Sequence, residues 1–414
     1  MRNDKPQSLS NAFRECLRKR ELHSRRRALT IAPPKSVDFS SNDFLSLATS
    51  ALFREKLLHH FNSAPPSTSF ASGGSRLLDG NSVYAEELEK YIADFHDAQS
   101  GLLFNSGFDA NVGVLSTIPQ VGDLIVYDEL IHASARDGMR LSRAGRRVQF
   151  AHNSSDSLRQ VLLAEQELDD ELRSGHKNAF ICIESLYSMD GDIAPLRSYV
   201  EIATSLFPNG NVYFIVDEAH ATGVFGRNGA GIVQDLGLQG DMFIRVHTFG
   251  KALASHGAIV LCSPDTREYL VNYCRSIIYT TAMGFPILAA IRASYEVLSE
   301  GLAQPLQEQL QTLISHLRGR LNDSRPISSG FARMDHVPGS PIFSIRCPFP
   351  RQLAAYCQAK GYTVRAIMSP TVPAGKERVR VCLHAGNTRE EIDGLVDALL
   401  TCLEDLDQRK TLKL

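Results

Sequence analysis

The 414-residue chain has almost no charge of either sign to spare. Its 44 Lys and Arg stand against 46 Asp and Glu, a formal net charge of −2. That excludes a global electrostatic footprint for nucleic acid or anionic lipid. No apolar run approaches the ~18 residues of a membrane-spanning helix. Neither a nucleic-acid nor a membrane partner is therefore expected. The eight cysteines are scattered, and no pair has C-x-x-C spacing. This leaves no zinc or dithiol motif, no metal is expected, and free buried thiols in a reducing compartment fit the pattern. There is no apolar h-region of a secretory signal, no internal repeat and no low-complexity tract. The first 27 residues are basic and end in Arg25-Arg26-Arg27, but Asp4, Glu15 and Glu21 speak against a mitochondrial presequence. Leu412-Lys413-Leu414 matches the peroxisomal S-K-L address at two of three positions, so the peroxisome or the cytoplasm is expected.

What remains is a folded chain. Hydrophobic residues make up 43%, and the 22% charged residues are well mixed, which suits a large core. Residues 1–30 read as a basic helix that stops before Pro33-Pro34. A Ser/Gly/Pro-rich stretch runs from Ala64 to Gly80. Tyr84, Leu88, Tyr91, Ile92 and Phe95 then share one helical face. Seven short apolar runs follow, alternating with helical stretches: 101–104, 124–127, 148–150, 179–183, 212–216, 242–246 and 258–261. Buried parallel strands read this way, and the alternation predicts an α/β fold. Near Pro286 the pattern changes to two long helices. Strands are expected at 341–345, 362–366 and 378–383, and the last helix opens on the capping box Thr388-x-x-Glu391. The expected organisation is an N-terminal helix and arm (1–45), a large α/β domain (46–285) and a smaller α+β domain (286–414).

Candidate chemistry sits at strand ends. Val212–Val216 runs into Asp217-Glu218-Ala219-His220. The D-E-A-H string also occurs in helicases, but that reading needs an upstream phosphate loop. Gly250-Lys251 lies downstream instead, with Ala252 where Ser or Thr should stand. Lys251 follows another strand and is flanked by Phe249, Gly250, Ala252 and Leu253. A lysine is by default a solvated surface charge. Apolar surroundings would instead lower its pKa and suit a Schiff-base lysine. A pyridoxal phosphate enzyme needs such a lysine and a carboxylate for the pyridinium nitrogen, and Lys251 and Asp217 meet both needs. Asn105-Ser106-Gly107-Phe108, between a strand and a helix, suits a phosphate site or a simple turn. His132 suits stacking on a flat cofactor or an ordinary structural hydrogen bond.

These segments occur together and in order with Phe39–Leu45 (FSSNDFL), Ser72–Leu77, Glu184–Asp192 (ESLYSMDGD), Val216–Gly223 (VDEAHATG), Thr248–Lys251 and Pro370–Gly375 (PTVPAG). With them the chain resembles the α-oxoamine synthases, class II pyridoxal-phosphate enzymes of fold type I, over nearly its whole length. The resemblance implies a mostly parallel seven-stranded sheet, pyridoxal 5'-phosphate as cofactor and a homodimer with shared active sites. It implies that Lys251 carries the cofactor and acts as base, that Asp217 meets the pyridinium nitrogen, that His220 bonds the phenolic oxygen and that His132 stacks on the ring. Gly107, Phe108 and Thr248 resemble phosphate-site residues, Ser188 a cofactor contact, and Thr280 and Thr281 residues that reach the partner subunit's cofactor. Arg380 resembles the arginine for the amino-acid carboxylate, and Arg25, Asn42 and Thr371 match other substrate-side positions.

The resemblance is nearest to the branch that condenses L-alanine with pimeloyl-CoA, or a pimeloyl-carrier protein, in biotin synthesis. Alternatives are another substrate pair of the family (glycine with acetyl-CoA, serine with a long acyl-CoA, or a secondary-product pair), a transaminase, and a catalytically inactive partner subunit. Two departures from the branch stand out: Met368-Ser369 where an arginine is common, and Ala85 where a histidine is common.

Overall fold

The computed structural model describes residues 8–23, 25–322 and 324–411. Leu412-Lys413-Leu414 lies outside them. The chain divides into two compact units, Met1–Ser36 and Val37–Leu414. In the first, a helix covers Leu9–Leu22, shorter than the basic helix expected over 1–30. None of its residues is buried, so no packing extends it into the arginine run, and an unpacked helix of this length is marginal in water.

Among its described residues the second unit contains thirteen strands: β1 (Val37–Asp38), β2 (Ser100–Phe104), β3 (Leu124–Asp128), β4 (Arg146–Phe150), β5 (Ala179–Glu184), β6 (Val212–Asp217), β7 (Met242–Thr248), β8 (Ala258–Cys262), β9 (Arg333–Asp335), β10 (Ile342–Arg346), β11 (Tyr362–Thr363), β12 (Arg365–Ile367) and β13 (Arg378–Cys382). The seven apolar runs read from the sequence become a seven-stranded sheet of order β2-β8-β7-β6-β5-β3-β4. Neighbours from β7 to β4 are parallel, and β8 runs antiparallel to both β7 and β2. The carboxyl ends of β2, β3, β5, β6 and β7 therefore share one edge, where open α/β sheets bind ligands. Two apolar clusters cover the faces of this sheet, one around Val126, Ile181, Val216 and Tyr199, the other around Ile125, Ile215, Ile244 and Val260.

A second sheet, β12-β13-β10-β9, is antiparallel. Its core residues Ile342, Phe343, Val379 and Val381 join Ile259 and Leu261 of the large sheet, and Phe249 just after β7, in a third cluster. The C-terminal helix Arg389–Thr411 packs there through Ile392, Leu395, Val396 and Leu399. Its capping box is closed in both directions: Glu391 N–H donates to Thr388 Oγ1 at 3.1 Å, and Thr388 N–H to Glu391 Oε2 at 2.9 Å.

The strand expected at 362–366 is divided. β11 pairs in parallel with β1, while β12 pairs with β13. Six cysteines are buried and in no disulfide, Cys347 is half-buried, and Cys16 is exposed, contrary to a uniformly buried set. Among the described residues no helix is long and apolar enough to cross a membrane.

Candidate active site

Asp217 is the last residue of β6 and Glu184 the last of β5, and the two are registered neighbours. Their side chains therefore emerge on the same face of the sheet. Asp217 Oδ2 accepts from Asn111 Nδ2 at 2.7 Å, and its Oδ1 accepts from Ala219 N–H at 2.9 Å. Asn111 is buried on the helix Gly107–Thr117 and also donates to Ser134 Oγ at 3.0 Å. Ser134 in turn lies 2.7 Å from His132 Nδ1, which accepts Ser134 N–H at 3.2 Å and so caps the helix Ala133–Leu141. One chain of polar contacts thus runs from Asp217 through Asn111 and Ser134 to His132. Asn111 carries no local sequence signal, since nothing near position 111 announces its partner at 217.

Lys251 follows β7 by three residues, and its Nζ lies 3.4 Å from Thr248 Oγ1. Burial holds its ammonium below the ordinary lysine range, against the pull of Asp217 and Glu184 and helped by Arg380. The Schiff-base requirement read from its flanking residues is met in that respect. His220 follows β6 and is buried beside Phe44, with ring centroids 6.1 Å apart. Burial first, then Lys251, Arg380 and His132, push its pKa well down, so it is a neutral imidazole. Its Nδ1 has no hydrogen-bond partner among the described residues. Burial likewise lowers the pKa of His132, opposed by Asp217. Glu184 is pushed well above the carboxylate range by burial and by the charge of Asp217.

Arg380 is on β13 and donates from Nη2 to Asn42 Oδ1 at 2.8 Å. Its Nε is buried and unpartnered, and among the described residues no carboxylate pairs with it. Its field reaches both Lys251 and His220. Gly107 opens its helix behind the cap Ser106, whose Oγ accepts Asp109 N–H at 3.0 Å. A Cβ at Gly107 would stand 2.4 Å from Thr248 Cγ2, so only glycine lets the helix start approach the end of β7.

Lys251, Asp217, His132, His220, Arg380, Asn42, Thr248 and Gly107 are therefore brought together. Phe108 sits on the same helix start and is half exposed, and Ser188 is half-buried in the turn after β5. Thr280 and Thr281 line a small cavity with Arg76, Ala85 and Asn105. Thr281 bridges Ser75 and accepts Asn105 Nδ2 on its carbonyl at 2.9 Å. No described contact links either threonine to Lys251 or Asp217. Thr371 is exposed, with its N–H on the Met368 carbonyl at 3.0 Å. Arg25 belongs to the first unit and is exposed.

This constellation fits pyridoxal 5'-phosphate. It offers a desolvated lysine, a carboxylate fixed for a ring nitrogen, an imidazole with a free buried nitrogen, a second imidazole at the site, and a helix start stripped of a side chain where a phosphate needs backbone N–H groups. Fold and site together define a pyridoxal-phosphate-dependent transferase. The chain belongs to the aminotransferase class I and II family, whose sequence model matches residues 34–399. It is 63% identical to 8-amino-7-oxononanoate synthase of Emericella nidulans, over 98% of this chain and 99% of that protein. It is 40% identical to the aminoacyl transferase sphA of Aspergillus fumigatus, over 88% of this chain and 80% of that protein. Among solved structures, a serine palmitoyltransferase from S. paucimobilis superposes with a TM-score of 0.81 at 23% identity, covering 97% and 99% of the two chains. The family and the fold read from the motifs are thereby borne out.

Proposed function

We propose that the chain condenses L-alanine with pimeloyl-CoA, or with the pimeloyl thioester of a carrier protein, to give 8-amino-7-oxononanoate, free thiol and CO2. The observation that carries this reading is the 63% identity, end to end, with an 8-amino-7-oxononanoate synthase. The site geometry supports the chemistry.

Pyridoxal 5'-phosphate, when bound, supplies an electron sink for a carbanion at the amino acid Cα. The residues of this chain do the rest. Among the described residues the Arg380 guanidinium is engaged by the neutral Asn42 amide and by no carboxylate, so its charge is available for the alanine carboxylate. Asp217, fixed by Asn111 and Ala219, would hold the proton on the pyridine nitrogen. His132 would cover one ring face, and His220 Nδ1 is free to donate to the ring hydroxyl oxygen. Gly107, Phe108 and Thr248 would receive the phosphate. Lys251 takes the alanine Cα proton, a task its lowered pKa suits because more of the amine is neutral. The Cα carbon attacks the thioester carbonyl: a C–C bond forms, the C–S bond breaks, and the departing thiolate takes a proton from solvent. The former alanine carboxylate leaves as CO2, and Lys251 returns a proton to Cα.

We read the working form as a homodimer. Supporting this, Phe70, Leu78, Val83 and Tyr279 leave large apolar side chains exposed. They lie on or beside two segments joined by the Ser75–Thr281 bridge and by the Ser72 Oγ bond to the Ala282 carbonyl at 2.8 Å. Apolar side chains grouped in this way mark association surfaces. A monomer in equilibrium sedimentation would contradict it. The reaction itself is tested by thiol release from pimeloyl-CoA with alanine: release that requires both substrates is expected, and none from cofactor-loaded protein would contradict it.

A further inference from the structure

The antiparallel sheet presents three arginines together. Arg378 and Arg380 are two residues apart on β13, so their side chains share a face. Arg346 on β10 is registered opposite Arg378. Two of the three are neutralised. Asp190, in the loop that follows β5, pairs through Oδ1 with Arg378 Nη1 and, at 3.0 Å, with Arg346 Nη2. Arg346 Nε also meets Asp335 at 2.8 Å. Arg378 donates further to the Lys376 carbonyl at 3.0 and 2.8 Å. It is 1% exposed, among the largest fully buried side chains. Burial opposes ionisation of Asp190, yet Arg378 and Arg346 hold its carboxyl below the usual range.

Stability alone does not account for this pair. A buried ion pair loses about as much in desolvation as it gains, and apolar residues of similar volume often serve equally well. Its placement is more informative. The loop carrying Asp190 also carries Ser188 and continues from Glu184 at the floor of the site. The loop backbone lies directly on β10: a Cβ at Gly191 would stand 2.5 Å from the Ile342 carbonyl oxygen. Asp190 and Arg378 thus tie the loop after β5 to the strand that carries Arg380.

We propose that the Asp190–Arg378 pair is a positioning device that fixes the Arg380 guanidinium relative to Lys251 and Asp217. The inference rests on the reading of Arg380 as the carboxylate-binding group. A directional ion pair sets the distance and angle of β13, which packing by apolar residues would leave looser. A shift of about 1 Å at the substrate is enough to cost up to about a hundredfold.

The test is Asp190→Leu/Arg378→Met in the full-length holoenzyme. The double change removes both members of the buried pair, and Arg346, which loses Asp190, is partly exposed and keeps Asp335 at 2.8 Å, so the protein is expected to fold. KM for alanine should rise about tenfold or more while kcat changes by less than about threefold. Arg378→Lys, which keeps the charge but not the fork, should fall between wild type and the double variant. In the apoprotein, hydrogen exchange of the 185–194 amides should accelerate in the double variant. Wild-type KM with unchanged loop exchange would overturn the inference, as would a loss confined to kcat. A wild-type enzyme inert towards every amino acid would count against the proposed reaction. Loop exchange in the apoprotein would then still decide the positioning role, unchanged exchange overturning it.

Discussion

Asn111→Leu is the substitution that most sharply tests how the site is wired. Leucine keeps the branched heavy-atom outline of asparagine, though with bulkier methyls, and removes both donor bonds, to Asp217 Oδ2 at 2.7 Å and to Ser134 Oγ at 3.0 Å. Asp217 keeps the Ala219 N–H but loses a hydrogen bond to a charged acceptor, which is worth about 1.5–3 kcal/mol. If that stabilisation is expressed in the transition state, kcat/KM for alanine falls about ten- to 150-fold. The same loss should loosen cofactor retention, since Asp217 is then free to turn, and His132 loses the bond that anchors its partner Ser134. The assay is thiol release under saturating pimeloyl-CoA, with cofactor affinity read from the visible absorbance. A kcat/KM within about threefold of wild type, with cofactor retention unchanged, would refute the proposed line from Asp217 to His132.

Three further outcomes follow from the same geometry. Lys251→Ala should abolish thiol release, and borohydride should no longer fix the cofactor to the chain; normal turnover by that variant would remove Lys251 from the mechanism. Arg380→Lys should raise KM for alanine by about tenfold or more, because an ammonium cannot reproduce the planar fork; an unchanged KM would move the carboxylate site elsewhere. His152 lies between Asp128 at 2.9 Å and Asp192 at 2.6 Å. Burial opposes its charge, but the two carboxylates raise its pKa to about 10. Its folded value lies above the unfolded ~6.5, so its contribution to stability is complete below that pH and is lost as pH rises towards about 10. The melting temperature should decline across that window and decline less in His152→Gln; identical pH profiles would contradict it.

Much of this was legible in the residues, for a definite reason. The inner strands of the large sheet are buried on both faces, so they announce themselves as short apolar runs, while the edge strand β4 leaves Arg146, Arg147 and Gln149 exposed and shows only Val148 and Phe150. The chemistry lies at the ends of those runs, where Asp217, Thr248 and Glu184 sit. Lys251 stands out by its flanks, and the cap of the last helix by the Thr388-x-x-Glu391 spacing. What stayed hidden depends on partners distant in sequence. Asn111 is one of several polar residues on its helix, with Asp109, Ser116 and Thr117, until Asp217 is placed against it. Arg378 reads as a strand residue until Asp190 arrives from 188 positions away. β1 and β11 are two residues each and exist only because they pair with one another, so neither has a periodicity of its own.

The central claim is the reaction, and free thiol released from pimeloyl-CoA tests it most directly, with alanine, glycine and serine supplied in parallel to the cofactor-loaded enzyme. Release with alanine should lie far above the other two, with 8-amino-7-oxononanoate as product. Release led by glycine or serine, or no release from a yellow, cofactor-loaded protein, would contradict it.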